Sequence, residues 1–213
     1  CDGASRDFGL FRLTTFMDDN VGKILAVLEA SGQLQNTRVI YSSDHGDNLG
    51  TRGMWGKSTM YEESAGIPLI MAGPDIPQGK VCDTPVTLVD AFQTIVDSVG
   101  ARRDARDAAL PGTSLIDIAQ GQAPARTILS EYHAAGAVCG SYMIRHGQYK
   151  FIYYIGLPPM LFDLAADPNE KKDLGQDPAY ATVRSECEVA LRKVVDPEKA
   201  DREAKADQAA KIA

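Results

Sequence analysis

Three residue types that do chemistry fall within a short window: Asp44, His45 and Lys57. An aspartate carboxylate and a neutral imidazole both serve as ligands for a divalent ion. A lysine thirteen residues after Asp44 can return to the same point and set an ammonium against an anion. Together they suit an anionic substrate held beside a metal ion. Each also has a plainer reading. An Asp after a strand serves as a turn residue or a helix N-cap. A lone His is commonly a hydrogen-bonded structural residue, and most lysines are solvated. Met54 and Trp55 beside Lys57 point instead to a partly enclosed setting.

The elements that must hold these residues follow from apolar spacing. Val39-Ile40-Tyr41 turns abruptly polar at Ser42–Asp47. A buried strand ending in an acid and a histidine reads as the C-terminal edge of a parallel sheet, where open α/β sheets bind ligands. Upstream, Phe16, Val21, Ile24, Leu25 and Leu28 recur at helical spacing and predict a helix over Phe11–Ala30, stopped by Gly32. Cys1–Leu10 reads as loop. Asp18 and Asp19 diverge by about 100° on such a helix and belong to a solvated face. Asn36-Thr37 leads into a strand over Arg38–Tyr41. Ile67–Ala72 reads as a second buried strand, closed by Gly73-Pro74. Thr87–Val99 predicts an amphipathic helix ending at Gly100. Ala101–Leu110 reads as exposed loop, and Leu115–Ala119 as a short helix or turn. Helix and strand in alternation give the α/β class.

From Arg126 the pattern changes. Thr127–Tyr132, Ser141–Arg145 and Tyr149–Tyr154 are short runs of strand-forming residues. His146-Gly147-Gln148 suits a hairpin connection, and Pro158–Leu164 supplies one more run. Closely spaced strands predict a small antiparallel sheet, backed by a helix over Ala179–Val195. Asp196–Ala213 is rich in Ala, Lys, Asp and Glu without a large apolar face; it reads as a tail, or as a helix that needs a partner. The expected division is 1–115 for the α/β part, 116–195 for a small α+β subdomain and 196–213 for the charged segment.

A chain of 213 residues with 44% hydrophobic and 24% charged residues buries a sizeable core. Its net charge of −7 argues against a nucleic-acid surface, which needs a basic stripe. No apolar run approaches the roughly 20 residues that span a bilayer. Cys1, Cys82, Cys139 and Cys187 form no CxxC and read as free or buried thiols. The chain begins at Cys1 without Met, so a cytoplasmic or a periplasmic location stays open. Gly56-Lys57-Ser58-Thr59 is similar to the end of a nucleotide-binding P-loop. That loop needs Gly five residues before Gly56, where Thr51 stands.

Ser43-Asp44-His45-Gly46-Asp47, Gly53-Met54-Trp55-Gly56-Lys57, Tyr61-Glu62-Glu63-Ser64 and Ile67-Pro68-Leu69 occur in order. Thr15–Gly22 precedes them, and Ser130-Glu131-Tyr132-His133 and Leu161–Glu170 follow. This ordered set resembles the C-terminal half of a sulfatase, of the alkaline-phosphatase-like superfamily. Gly66 departs from the pattern, which often carries a larger or basic residue there. The resemblance implies the C-terminal part of an alkaline-phosphatase-like sheet sandwich with a small antiparallel α+β subdomain, and hydrolysis of a small-molecule sulfate ester. It implies a divalent cation, calcium first and manganese or magnesium next, held by Asp44 and His45 with further acids from an N-terminal half. It makes Lys57 a catalytic and substrate-binding residue and lets His133 line the pocket, with a structural role for His133 equally open. A formylglycine, made from the cysteine of Cys-x-Pro/Ala-x-Arg, is expected in that N-terminal half. In Cys1-Asp2-Gly3-Ala4-Ser5-Arg6 the Arg stands one place too far and Gly3 replaces Pro/Ala, so Cys1 is read as a non-nucleophile. Hydrolysis of a phosphonate or phosphate ester is the alternative, and a non-catalytic truncated fragment another. A homo-oligomer or the N-terminal half is the expected protein partner, with no nucleic acid and no membrane.

Overall fold

Helical periodicity in the first thirty residues is realised as α1 (Gly3–Ala30) in a computed structural model that describes residues 3–102, 104–134 and 137–212. The loop expected before Phe11 is therefore helix from Gly3 onward. Gly9 costs such a helix about 1 kcal/mol relative to Ala, a cost offset by good helix formers around it, Leu10, Arg12 and Leu13. Cys1 lies outside the described residues. The helix ends as predicted at Gly32, whose φ is +69°. Gly32 N donates to Glu29 O and Gln33 N to Leu28 O, both at 3.0 Å, which satisfies the last carbonyls in a Schellman arrangement.

Two compact units make up the chain: Cys1–Tyr41 with Ile70–Gly79, and Ser42–Leu69 with Lys80–Ala213. The first is built on α1 and on the pairing of β1 (Val39–Ser42) with β2 (Leu69–Ala72). Arg38 donates from Nε to Pro74 O at 2.9 Å and from Nη2 to Asp75 Oδ2 at 2.6 Å, fixing the turn after β2. Gly73 (φ +124°) lies so close to the Thr37 carbonyl that a Cβ would overlap it. The strand expected to be buried at Ile67–Ala72 is half open, with Ile70 60% exposed. No further strand flanks β1 and β2 among the described residues. Phe11, Phe16, Ile24 and Val27 of α1 are likewise exposed.

The second unit holds most of the core. Residues 90–98 form α3 (Asp90–Ser98), three residues later than the apolar pattern suggests. The chain first makes a turn, with Asp90 N and Ala91 N donating to Thr87 O and Leu88 O at 3.0 Å, and Asp90 anchors it. Its enclosed carboxylate accepts from Thr87 N at 2.9 Å, Thr113 N at 2.8 Å and both Nη atoms of Arg126 at 2.9 and 2.8 Å. Thr94 Oγ1 in turn accepts from Leu115 N, tying α3 to α4 (Leu115–Ala119).

Four strands then form one antiparallel sheet in chain order: β3 (Thr127–Tyr132), β4 (Ser141–His146), β5 (Tyr149–Tyr154) and β6 (Met160–Asp163). The β4–β5 turn is Gly147-Gln148, with Gly147 at φ +58°. Alternation along the strands gives the sheet two apolar faces. Tyr142, Ile144, Phe151 and Leu161 pack against Cys187 and Leu191 of α5 (Ala181–Val194). Met143, Ile152 and Phe162 pack instead against Met60, with Tyr61 and Ala65 at the edge. The segment that carries the chemical residues is thus built onto this sheet. The segment after Asp196 is not a loose tail: Pro197–Ile212 forms α6, and its N-terminal part supplies the partner. Tyr142 Oη donates to Pro197 O at 2.7 Å, and Gly140 N donates to Asp201 Oδ1 at 2.7 Å. No helix among the described residues is long and apolar enough to cross a membrane.

Candidate active site

β1 ends two residues before Asp44. Asp44 Oδ1 accepts the His45 backbone N–H at 3.0 Å, and Oδ2 lies 3.5 Å from His45 Nε2. His45 Nδ1 is 2.8 Å from the Gly46 carbonyl oxygen. A carbonyl only accepts, so Nδ1 carries the proton and Nε2 presents its lone pair. Lys57 Nζ lies 2.5 Å from that lone pair and donates to it. Asp44, His45 and Lys57 therefore meet at one point, a carboxylate, an imidazole lone pair and an ammonium. Asp44 is 83% exposed and His45 37%, so the cluster is an open edge on this chain.

A metal ion can be tested against these atoms. Ligand bonds of about 2.0–2.2 Å place neighbouring ligands of one ion about 3–3.5 Å apart, which matches the Oδ2–Nε2 separation. The Nδ1–H bond to Gly46 is the outer support that fixes a ligating histidine's tautomer. Asp44 and His45 fit a divalent ion as two of its ligands. Among the described residues no group of three or more His, Cys, Asp and Glu could hold one.

The loop between these residues is closed by its own hydrogen bonds. Asp47 Oδ1 accepts from Leu49 N at 2.9 Å and Gly56 N at 3.2 Å. Buried Asn48 bonds Gly56 O twice, from its backbone N at 2.8 Å and its Nδ2 at 2.6 Å. Thr59 Oγ1 donates to Asn48 Oδ1 at 3.1 Å. The short helix α2 (Glu62–Ala65) closes the loop. Gly46 N donates to Ser64 O at 2.8 Å, and Ser64 Oγ donates to Lys57 O. One buried serine thus ties both the residue after His45 and Lys57. Gly46 sits against the Glu63 carbonyl, leaving no room for a Cβ. Gly66 has a similar reason: a Cβ there would lie 2.6 Å from Glu62 Oε2 and 2.8 Å from Glu62 O. The Glu62 carboxylate and carbonyl leave no room for a Cβ at this position.

His133 is not brought to this cluster. Its ring packs edge-on against Tyr142 at 5.3 Å between centroids, and its carbonyl accepts from Gln208 Nε2 of α6. Its Nε2 lies 3.7 Å from Glu131 Oε2. The preceding residue reaches the other way: Tyr132 Oη donates to Ser58 Oγ at 2.9 Å, beside Lys57. Sequence reasoning quoted Ser64 and Tyr132 only as members of motifs, without a role, and did not single out Asn48. Their hydrogen bonds are to backbone and hydroxyl groups, which no residue spacing reveals. Burial raises the Tyr61 phenol above its ordinary pKa, with Arg52 opposing. Burial also raises the free thiol of Cys187 to about 11, so it is an inert core group.

Residues 10–101 match the Sulfatase family model. A choline-sulfatase of Rhizobium meliloti is 34% identical over 168 residues, which is 79% of this chain and 33% of that protein. Arylsulfatase K of Danio rerio is 30% identical over 185 residues, 84% of this chain and 35% of its own length. The chain spans about a third of the length of these curated relatives. Among solved structures, a 2-O GAG sulfatase superposes with a TM-score of 0.76 at 28% identity, covering 91% of this chain and 42% of that one. A phosphonate monoester hydrolase from Silicibacter pomeroyi superposes with a TM-score of 0.72 at 27% identity, covering 83% and 38%.

Proposed function

Because the chain belongs to the sulfatase family, we propose that it supplies one side of a metal-dependent site that hydrolyses sulfate esters. The observation that carries this reading is the meeting of Asp44, the His45 Nε2 lone pair and Lys57 Nζ at one point. Asp44 and His45 hold the ion, which when bound supplies Lewis-acid neutralisation of the ester oxygens. Calcium comes first and manganese or magnesium next, hard ions that take a carboxylate oxygen such as that of Asp44. Lys57 donates to a non-bridging or leaving-group oxygen as charge develops on it, an interaction worth most in the transition state. Tyr132 and Ser58 hold the segment beside Lys57 in place. His133 serves the packing of α6.

No Cys-x-Pro/Ala-x-Arg occurs in the 213 residues. We therefore place the formylglycine nucleophile, and the remaining ligands, in a part of the enzyme outside this sequence, and expect no turnover from this chain alone. The likeness to a phosphonate monoester hydrolase supports a second reading, hydrolysis of a phosphonate monoester, since both tetrahedral esters need a cation and an ammonium at their oxygens. The deciding assay supplies manganese, calcium or magnesium to this chain and to the longer parent enzyme, with an aryl sulfate and an aryl phosphonate monoester. Parent turnover of the sulfate above the phosphonate, lost in Lys57→Ala, supports the first reading, and the reverse preference supports the second. Sustained turnover by the 213 residues alone would overturn the placement of the nucleophile.

A further inference from the structure

Lys150 lies in β5, on the sheet face that carries Met143, Ile152 and Phe162, and its side chain is fully enclosed. A buried ammonium is costly unless it is paired. Its Nζ is 2.7 Å from Glu170 Oε1, 2.5 Å from Glu62 Oε1 and 3.0 Å from the Met60 carbonyl oxygen. The second oxygen of the equally enclosed Glu170 accepts the Glu62 backbone N–H at 2.7 Å. Glu170 is held at φ +50°, a left-handed conformation that persists in a non-glycine residue only where the surroundings over-determine it. Arg52, at φ +56°, joins the same group. It donates to Glu63 Oε2 at 2.7 Å and to the Asn169 carbonyl at 2.6 Å, and lies 4.1 Å over the Tyr61 ring.

Between them Lys150, Glu170 and Arg52 grip each of residues 60–63. The next residue, Ser64, is the one that holds Gly46 and Lys57. We propose that Lys150 and Glu170 are positioning residues, which fix α2 on the sheet and through Ser64 set His45 and Lys57 against each other. A face that served packing alone would be better filled by apolar residues like its neighbours, because replacing a buried ion pair by well-packed hydrophobic residues is often neutral or stabilising. The inference rests on reading Asp44, His45 and Lys57 as the site.

Amide hydrogen exchange on the 213-residue chain tests it, with Glu62→Gln and Lys150→Met as variants. Protection at Gly46 and Asn48 is expected to fall at least tenfold, while Ile144 and Phe151 in the sheet stay within twofold of wild type. The dissociation constant for Mn²⁺ should rise at least tenfold in parallel. Unchanged protection at Gly46 and Asn48, or an equal loss at all four amides, overturns the inference and leaves the network a stabilising device only. Should Lys150→Met fail to fold, Glu62→Gln decides alone, because the Glu62 side chain is 38% exposed and tolerates the change. Where the wild-type chain, with two of the ligands only, binds no Mn²⁺, the exchange comparison decides the positioning role.

Discussion

Removing Lys57 should move metal affinity and catalysis in opposite directions. The ammonium is 2.5 Å from His45 Nε2, on the lone pair that a metal ion would take. A ligand bond of about 2.1 Å to the same atom excludes the ammonium from that position, so Lys57 must swing aside when an ion binds. A hydrogen bond to a charged group contributes roughly 1.5–3 kcal/mol when enclosed. The imidazole here is 37% exposed, and solvent screening reduces the contribution to about 1 kcal/mol. Lys57→Ala abolishes this competition and should tighten Mn²⁺ binding about fivefold, at 1.4 kcal/mol per tenfold. In the longer parent the same substitution should lower kcat by about 100- to 1000-fold, the usual cost of losing one preorganised donor. Calorimetric titration of the chain reads the first effect and steady-state kinetics of the parent the second. Weaker metal binding in Lys57→Ala would refute the competition, and wild-type turnover would refute the catalytic role.

Asp90→Asn should destabilise the chain by about 3 kcal/mol in urea denaturation, because it leaves Arg126 unpaired and turns an amide N–H₂ toward donors. Glu198 is held at about 2 chiefly by its hydrogen bond from Arg192, against an ordinary 4.5. Its stabilisation is present above pH 4.5 and lost as the pH falls toward 2, and at 38% exposure it amounts to about 1 kcal/mol. Glu198→Gln should flatten that part of an acid titration followed by circular dichroism, and an unchanged titration would dismiss the pair as a stabiliser. Gly66→Lys should cost about 1–3 kcal/mol through overpacking against Glu62, a loss that a wild-type thermal midpoint would rule out.

The sequence carries its strongest information where chemistry and period coincide. Asp44, His45 and Lys57 were readable because a strand pattern stops just before them and the ordered motifs continue after them. The four antiparallel strands were readable because each is short, apolar and bounded by turn residues, down to the Gly147-Gln148 turn. Helix starts were less legible. Leu88 and Val89 fit the apolar period of α3, but Asp90 N and Ala91 N donate to carbonyls only three residues back, Thr87 O and Leu88 O, so this stretch is a tight turn and the α-helix begins after it. The segment after Asp196 has too little apolar content to fold by its own pattern. Its structure comes from polar ties at one end, Tyr142 to Pro197 and Gly140 to Asp201, which depend on tertiary partners.

The same distinction explains why His133 and Tyr132 are easily exchanged on paper. A histidine in a loop after a strand has the chemistry of a pocket residue, whereas a tyrosine at a strand end reads as β-propensity. Which of the two meets the site depends on the face each presents, because successive side chains along a strand alternate. Tyr132 pairs with Ser141 in the register that places Ser130 opposite Met143, on the face that carries Met60 and the site loop. His133, one residue on, lies against Tyr142, whose own neighbours are α5 and α6. A one-residue shift of β3 against β4 would exchange their surroundings. The chemical type of a side chain nominates it for a site, and the register of the strand that carries it decides whether it is admitted.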